Sequence, residues 1–145
     1  TGPRPQERDT AMTPEELDAI LPDFPKSMGV TLTSGSPECI VGTLTVEPHH
    51  ANRNGVMHGG AIMAFADALG GSAAAINLEE GQSTTTLESK TNFLRPIAIG
   101  ETATARCEAL HRGRRTTIWQ TTVLREDGKP AAIVIQTQMT LAPAP

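Results

Sequence analysis

The chain has 145 residues, enough to bury one real core but too few for two substantial domains, and its formal net charge is -4 with a pI near 5.5. No basic field is available to draw in nucleic acid or an anionic membrane surface, and with no Tyr, one Trp and three Phe there is no aromatic platform for base stacking. Any polyanionic ligand has to be held locally. Cys39 and Cys107 lie far apart without CxxC spacing, and the first residues lack the charged, apolar and small-residue regions of a signal peptide, so free thiols in a reducing cytoplasm are expected.

In chain order, the Pro-, Arg- and Gln-rich start reads as a disordered tail, taken as residues 1–12, ahead of a single domain over 13–145. Thr13-Pro14-Glu15-Glu16 combines a capping Thr, a Pro at the first helical position and acids in the first turn, which predicts a helix that Pro22 and Pro25 end. Alternation from Val30 and Leu32, then from Cys39 to Val46 after Gly35-Ser36-Pro37, predicts two antiparallel strands. Glu47 to Met57 carries Pro48, Asn52, Asn54 and Gly55 and reads as a loop.

The Ala-rich stretch from Gly59 to Asn77 predicts the one long helix, and its apolar character nearly all round predicts that it is buried. A membrane span is rejected because the run is built of Ala and Gly and carries Asp67 at its middle. Beyond Gly81 come strands over Ser83 to Leu94, Glu101 to His111, Thr116 to Arg125 and Ala131 to Leu141, read as an antiparallel meander. One buried helix with about six antiparallel strands predicts an α+β fold in which a curved sheet wraps a central helix.

Asp67 is the most informative single residue. A carboxylate in a buried, otherwise uncharged helix is costly, so it is either a structural acid satisfied by a hydrogen-bonding partner or a catalytic base or nucleophile. Gly59-Gly60 opens the same helix, where free N–H groups and the positive end of the helix dipole can hold a developing oxyanion; the plainer alternative is a tight loop-to-helix junction. His58 either caps that junction or helps to bind substrate. Gly59 and Asp67 are eight residues apart, about 12 Å along a helix axis, too far for both to touch one reacting carbonyl. Two antiparallel copies of the helix about a two-fold axis would bring Gly59 of one beside Asp67 of the other, so a catalytic Asp67 predicts a dimer with two shared sites.

Other chemistry is weaker. His49, His50 and His58 fit no helical metal-ligand spacing, with no carboxylate or thiolate in register, so no metal is expected. No GxSxG motif occurs. Arg112, Arg114 and Arg115 surround a predicted hairpin turn, where a basic cluster is either merely solvated or able to hold phosphates.

The string Asn52-Arg53-Asn54-Gly55-Val56-Met57-His58-Gly59-Gly60, then Ala66-Asp67, Asn92-Phe93-Leu94-Arg95-Pro96 and His111-Arg112-Gly113-Arg114, resembles the hotdog-fold thioesterases of the phenylacetate-degradation (PaaI-like) type. The resemblance runs from about Gly29 to Leu141. It implies an acyl-CoA thioesterase that releases free acid and CoA, with coenzyme A as part of the substrate and no other cofactor. It also implies subunits that join their sheets edge to edge into dimers or tetramers with shared active sites. On the matching positions, Gly59 would donate its amide to the thioester carbonyl beside Gly60. Asn52 would position water or substrate, and Asp67 of the facing subunit would attack or activate that water. A hydroxyl on the next strand would assist: Thr86 by counting back from Pro96, or Thr85 if the one inserted residue falls otherwise. The CoA phosphates would fall to Arg95, Arg112, Arg114 or Arg115. A hotdog hydratase would carry a His five residues after its Asp, where this chain has Ser72; a non-catalytic acyl-CoA sensing module is the remaining rival.

Overall fold

Capping and breaking chemistry sets the first element. In the computed structural model, which describes residues 11–145, helix α1 (Pro14–Ile20) opens on a reciprocal cap: Thr13 Oγ1 accepts from the Glu16 N–H at 3.2 Å and Glu16 Oε1 accepts from the Thr13 N–H at 3.4 Å. Of the tail expected over residues 1–12, residues 1–10 lie outside the described ones, and Met12 packs against the core. Pro22 follows the end of α1, but Pro25 does not act as a breaker. It lies in the first turn of a second short helix, α2 (Asp23–Ser27), where a helix has no use for the missing N–H.

Six strands follow the expected segments closely: β1 (Thr31–Gly35), β2 (Cys39–Thr45), β3 (Ser83–Phe93), β4 (Thr102–Arg112), β5 (Thr116–Leu124) and β6 (Pro130–Leu141). Their spatial order is β1-β2-β4-β5-β6-β3, with every pairing antiparallel. The meander therefore covers only β4 to β6. β3 does not join β4, its successor in sequence, but pairs with β6 at the far edge of the sheet. Residues 94–101 make this possible by returning across the end of the sheet, where the Met57 N–H donates to the Ile97 carbonyl at 2.8 Å and the Gly100 N–H to the Val46 carbonyl at 2.7 Å. Ile97 is fully buried there.

The sheet curls around α3 (Gly59–Ile76), an 18-residue helix. Ile62, Phe65, Ala66, Leu69 and Ala73 face the sheet and are buried against Ile40, Leu44, Trp119 and Val123. Gly42 on β2 lets strand and helix approach closely, since a Cβ there would stand 3.0 Å from both Leu69 Cδ1 and the Thr31 carbonyl oxygen. By composition α3 is long and apolar enough to cross a bilayer, with a mean hydropathy of 1.3, yet its sheet side is packed into the core of the α+β fold.

The expectation of a helix buried all round is corrected here, because one curved sheet covers one side only. Met63 is 40% exposed, and Asp67 is also exposed; Ala64, Ala68 and Gly71 beside them are half-buried. Gly59, Met63, Asp67 and Gly71 recur every four residues and so form one row on this open side.

The two thiols sit on neighbouring strands but opposite faces: Cys107 faces the core beside Ile40, and Cys39 faces outward opposite Glu108. Burial pushes the Cys107 thiol from its ordinary 9.0 up to about 12. A raised thiol pKa stabilises the fold below the unfolded value and withdraws that stability as pH climbs toward the folded one. Chemical denaturation should therefore show falling stability from about pH 9 to 12, with a flatter dependence in Cys107→Ala; iodoacetamide at pH 8 should alkylate Cys39 before Cys107 in the native protein.

Candidate active site

The start of α3 depends on His58. Its Nδ1 accepts from the Gly60 N–H at 2.8 Å, and its carbonyl accepts from Ala61 and Ile62 N–H at 2.9 and 3.1 Å. His58 thus caps the helix in its Nδ1-acceptor state, and the Gly60 amide is committed to it. The Gly59 N–H alone in this first turn has no acceptor among the described residues. A Cβ on Gly59 would lie 3.2 Å from Phe93 Cζ, so glycine leaves room between the helix start and that ring.

Gly59 lines a cavity of about 330 Å³ with Asn52, Met57, Ile62, Phe93 and Arg95. Asn52 Oδ1 is already engaged, accepting from the Asn54 N–H at 2.9 Å and the Val56 N–H at 3.4 Å to hold the loop. Its Nδ2 has no acceptor among the described residues, so the residues lining the cavity include two uncommitted donors, a backbone amide and a side-chain amide, of the kind suited to an oxygen that gains negative charge.

Asp67 stands two turns further along α3. Its Oδ1 accepts from Thr86 Oγ1 at 2.8 Å, a contact between the helix and the edge strand β3. Thr85, the alternative hydroxyl, pairs with Met139 on the outer face and points away from the helix. The irregular register between Thr86 and Glu88 accommodates the inserted residue that made the count ambiguous. On the open side next to Asp67, a second cavity of about 420 Å³ is walled by Ile20, Phe24 and Pro25 and floored by Ala64, Ala68 and Gly71.

The basic residues do not converge. Arg95 borders the Gly59 cavity and donates from Nη1 to the Pro130 carbonyl at 2.8 Å. Arg112 is tied down by Glu38 at 3.3 Å and Asn77 at 3.3 Å, near the other end of α3. Arg114 lines a polar cavity there of about 480 Å³, and Arg115 is exposed. Gly59 and Asn77 are about 27 Å apart along the helix at 1.5 Å per residue, so Arg95 and the Arg112–Arg115 group serve different regions of one chain. Among the histidines, His58 donates its N–H to the His50 carbonyl at 2.8 Å while its ring caps α3. Contrary to expectation a carboxylate does join two of them, since Glu47, His49 and His50 cluster, but the 3-10 turn Pro48–His50 explains the grouping: Glu47 N–H donates to His50 Nδ1 at 2.9 Å as a cap.

Residues 54–132 match the family model of the thioesterase superfamily. The chain belongs to that superfamily. The solved thioesterase HI1161 of Haemophilus influenzae is 26% identical and superposes with a TM-score of 0.82 over 90% of this chain and 92% of that one. The proofreading thioesterase EntH of Cronobacter sakazakii is 27% identical over 119 residues, 81% of this chain and 86% of its own. The E. coli PaaI protein of the phenylacetic acid degradation operon, at 23% identity and a TM-score of 0.77 over 83% of this chain and 85% of that one, shares the fold. This thioesterase therefore has the hotdog architecture and hydrolyses a thioester.

Two buried polar residues at this site escaped the sequence reading. Gln136 and Gln138 on β6 are each 1% exposed and lie beneath α3 and Thr86. A signal was present: they fall on the same alternation as Ala132 and Val134, the inward face of the strand. The α2 wall of the cavity beside Asp67 was missed as well, because Phe24 and Pro25 gain meaning only once the chain folds back onto α3.

The cap is directly testable. His58→Ala should cost about 1 kcal/mol in chemical denaturation by removing the acceptor of the Gly60 N–H, while His58→Asn, which can still accept, should recover most of it. Equal stability of both variants and wild type would remove the capping role.

Proposed function

We propose that this thioesterase hydrolyses acyl-CoA in the cytoplasm as a two-fold dimer whose sites are each shared by two chains. The observation that carries the reading is the Thr86–Asp67 hydrogen bond of 2.8 Å on the uncovered side of α3. It engages Oδ1, and the other carboxylate oxygen has no hydrogen-bond partner among the described residues.

In this reading the thioester carbonyl lies against the Gly59 N–H and Asn52 Nδ2 of one subunit. Asp67 of the other provides the attack, either as the nucleophile or as the base that takes a proton from water. Negative charge builds on the carbonyl oxygen, where the two donors stabilise it more than they do the neutral ground state. Collapse of the tetrahedral species expels the CoA thiolate. The acyl group lodges among Phe24, Ala64, Ala68 and Gly71, a setting apolar enough for an aryl or medium-chain acyl group. Arg95, next to Gly59, is the first choice for the CoA phosphates; at the far end Arg114 and Arg115 have no side-chain partner among the described residues, whereas Arg112 is held by Glu38.

Three features support the dimer. The distance of about 12 Å between Gly59 and Asp67 forbids a one-chain site. Met63 lies midway between them in the same row, so a two-fold axis crossing there sets each Gly59 opposite the other Asp67 and covers an exposed apolar side chain. β3 is an edge strand of 11 residues with Leu87 57% and Phe93 53% exposed, an edge suited to pairing with its own copy. The free state of both cysteines supports a reducing compartment.

Thiol release from phenylacetyl-, benzoyl- and octanoyl-CoA tests the substrate class. On whichever is turned over fastest, Asp67→Asn should lower kcat roughly a hundredfold or more with little change in KM, and near-wild-type turnover by the folded variant would overturn the assignment. Sharing is tested by mixing Gly59→Val, which crowds the Gly59 cavity, with Asp67→Asn. Each inactive homodimer should regain activity as a verified heterodimer, because one of its two sites is intact; no recovery would exclude the shared site.

A further inference from the structure

The buried glutamines of β6 form a directed chain of hydrogen bonds that ends on Asp67. Gln136 Nε2 donates to the Ala66 carbonyl at 3.1 Å. Gln138 Nε2 donates to Gln136 Oε1 at 2.7 Å and to Thr86 Oγ1 at 2.6 Å, and Gln138 Oε1 accepts from Thr84 Oγ1 at 3.0 Å. Thr86 in turn donates to Asp67.

Hydrogen-bond chemistry allows only one direction along this chain. A backbone carbonyl can only accept, so Gln136 must turn its NH₂ toward Ala66 and its oxygen toward Gln138. Gln138 must then present its own NH₂, whose second proton goes to Thr86. With one lone pair of the Thr86 oxygen engaged by that donor, its proton is directed at Asp67 Oδ1, which as a carboxylate can only accept. The orientation of a hydroxyl at the site is thus traced back to a helix carbonyl one residue before the acid.

The helix is shaped to admit this chain. A Cβ on Gly70 would stand 2.0 Å from Gln136 Nε2 and 2.2 Å from its Cδ, so any side chain there evicts the amide. Burying two glutamine amides beneath α3, on a face they share with Trp119, Thr117 and Thr121, is costly unless they are hydrogen-bonded, which a merely space-filling role does not require.

We propose that Gln136 and Gln138 are positioning residues for thioester hydrolysis, holding the Thr86 hydroxyl as an obligatory donor to Asp67 so that one carboxylate oxygen is fixed and the other is presented to the reaction. The proposal rests on Asp67 acting in catalysis. Gln138 touches no substrate; it acts through Thr86.

The test is a double-mutant cycle read by kcat and KM separately, on the acyl-CoA of the panel above that is turned over fastest, with Asp67→Asn alongside. Gln138→Met preserves length but removes both polar ends. It should lower kcat about tenfold, the value of one hydrogen bond to a charged group, with KM within about twofold. Thr86→Val should fall similarly, Thr86→Ser should recover most of the loss, and the Thr86→Val/Gln138→Met double variant should be no worse than Thr86→Val alone. Losses that multiply in the double variant, or wild-type kcat in folded Gln138→Met while Asp67→Asn is inactive, would overturn the proposal. An active Asp67→Asn would instead overturn the catalytic reading beneath it. If Gln138→Met does not fold, Thr84→Val frees the Gln138 carbonyl from the half-buried end of the chain. It should lower kcat about threefold at unchanged KM, and unaltered kcat would then overturn the proposal.

Discussion

The central helix is apolar on more sides than one sheet can cover. Ile62, Phe65, Leu69 and Ala73 spend their hydrophobicity against the strands, which leaves Met63, Ala64, Ala68 and Gly71 around Asp67 on the open side. Along that uncovered strip stand the Gly59 amide, which has no acceptor among the described residues, the Asp67 carboxylate two turns on, and the cavity beneath α2 that Asp67 helps to line. The same strip needs a second surface laid over it. Such a face next to an edge strand is the kind of surface that self-association covers.

Selectivity among nearly identical groups comes from which of them are already engaged. Gly59 and Gly60 are adjacent glycines at one helix start, yet the His58 ring takes the second amide and leaves the first. Asn52 has two polar ends, and the loop takes the oxygen. Thr85 and Thr86 are neighbours, and the strand's alternation turns only the second toward Asp67. Local hydrogen bonding thus reduces a crowded set of donors to a few with definite directions.

Much of this fold is legible in the sequence because period and punctuation agree. The Thr13 cap, the alternation of Thr102 to Ala109 and the turn residues fall within a residue or two of the observed boundaries. The placement of β3 was not legible, since pairing with β6 instead of β4 depends on how residues 94–101 return across the sheet, a long-range matter with no local signal. At the site, Asp67 and Gly59 stand out by type and spacing, whereas Thr86 is reached only through the family resemblance, with Thr85 as its alternative. The exposure of Asp67 does not, because an apolar helix looks buried whichever side the sheet takes. Gln136 and Gln138 were legible in part: a polar pair on an inward alternation signals a need, but its partners, Ala66 and Thr86, lie 70 and 52 residues away.

Helix α3 is poorly suited to stand alone. Gly70 and Gly71 together cost about 2 kcal/mol relative to Ala in a helix interior, and an 18-residue helix is only marginal in water. The two glycines face different demands. Gly70 makes room for the Gln136 amide on the sheet side, and Gly71 keeps the floor of the open-side cavity low. A sequence chosen for helix stability would place Ala at both, improving the helix while expelling the buried amide and shrinking the cavity. The helix is therefore held by the sheet rather than by its own propensity, and its weakness coincides with the stretch immediately after Asp67. Tertiary packing supplies the stability that lets small residues sit where the buried amide and the open-side cavity need space.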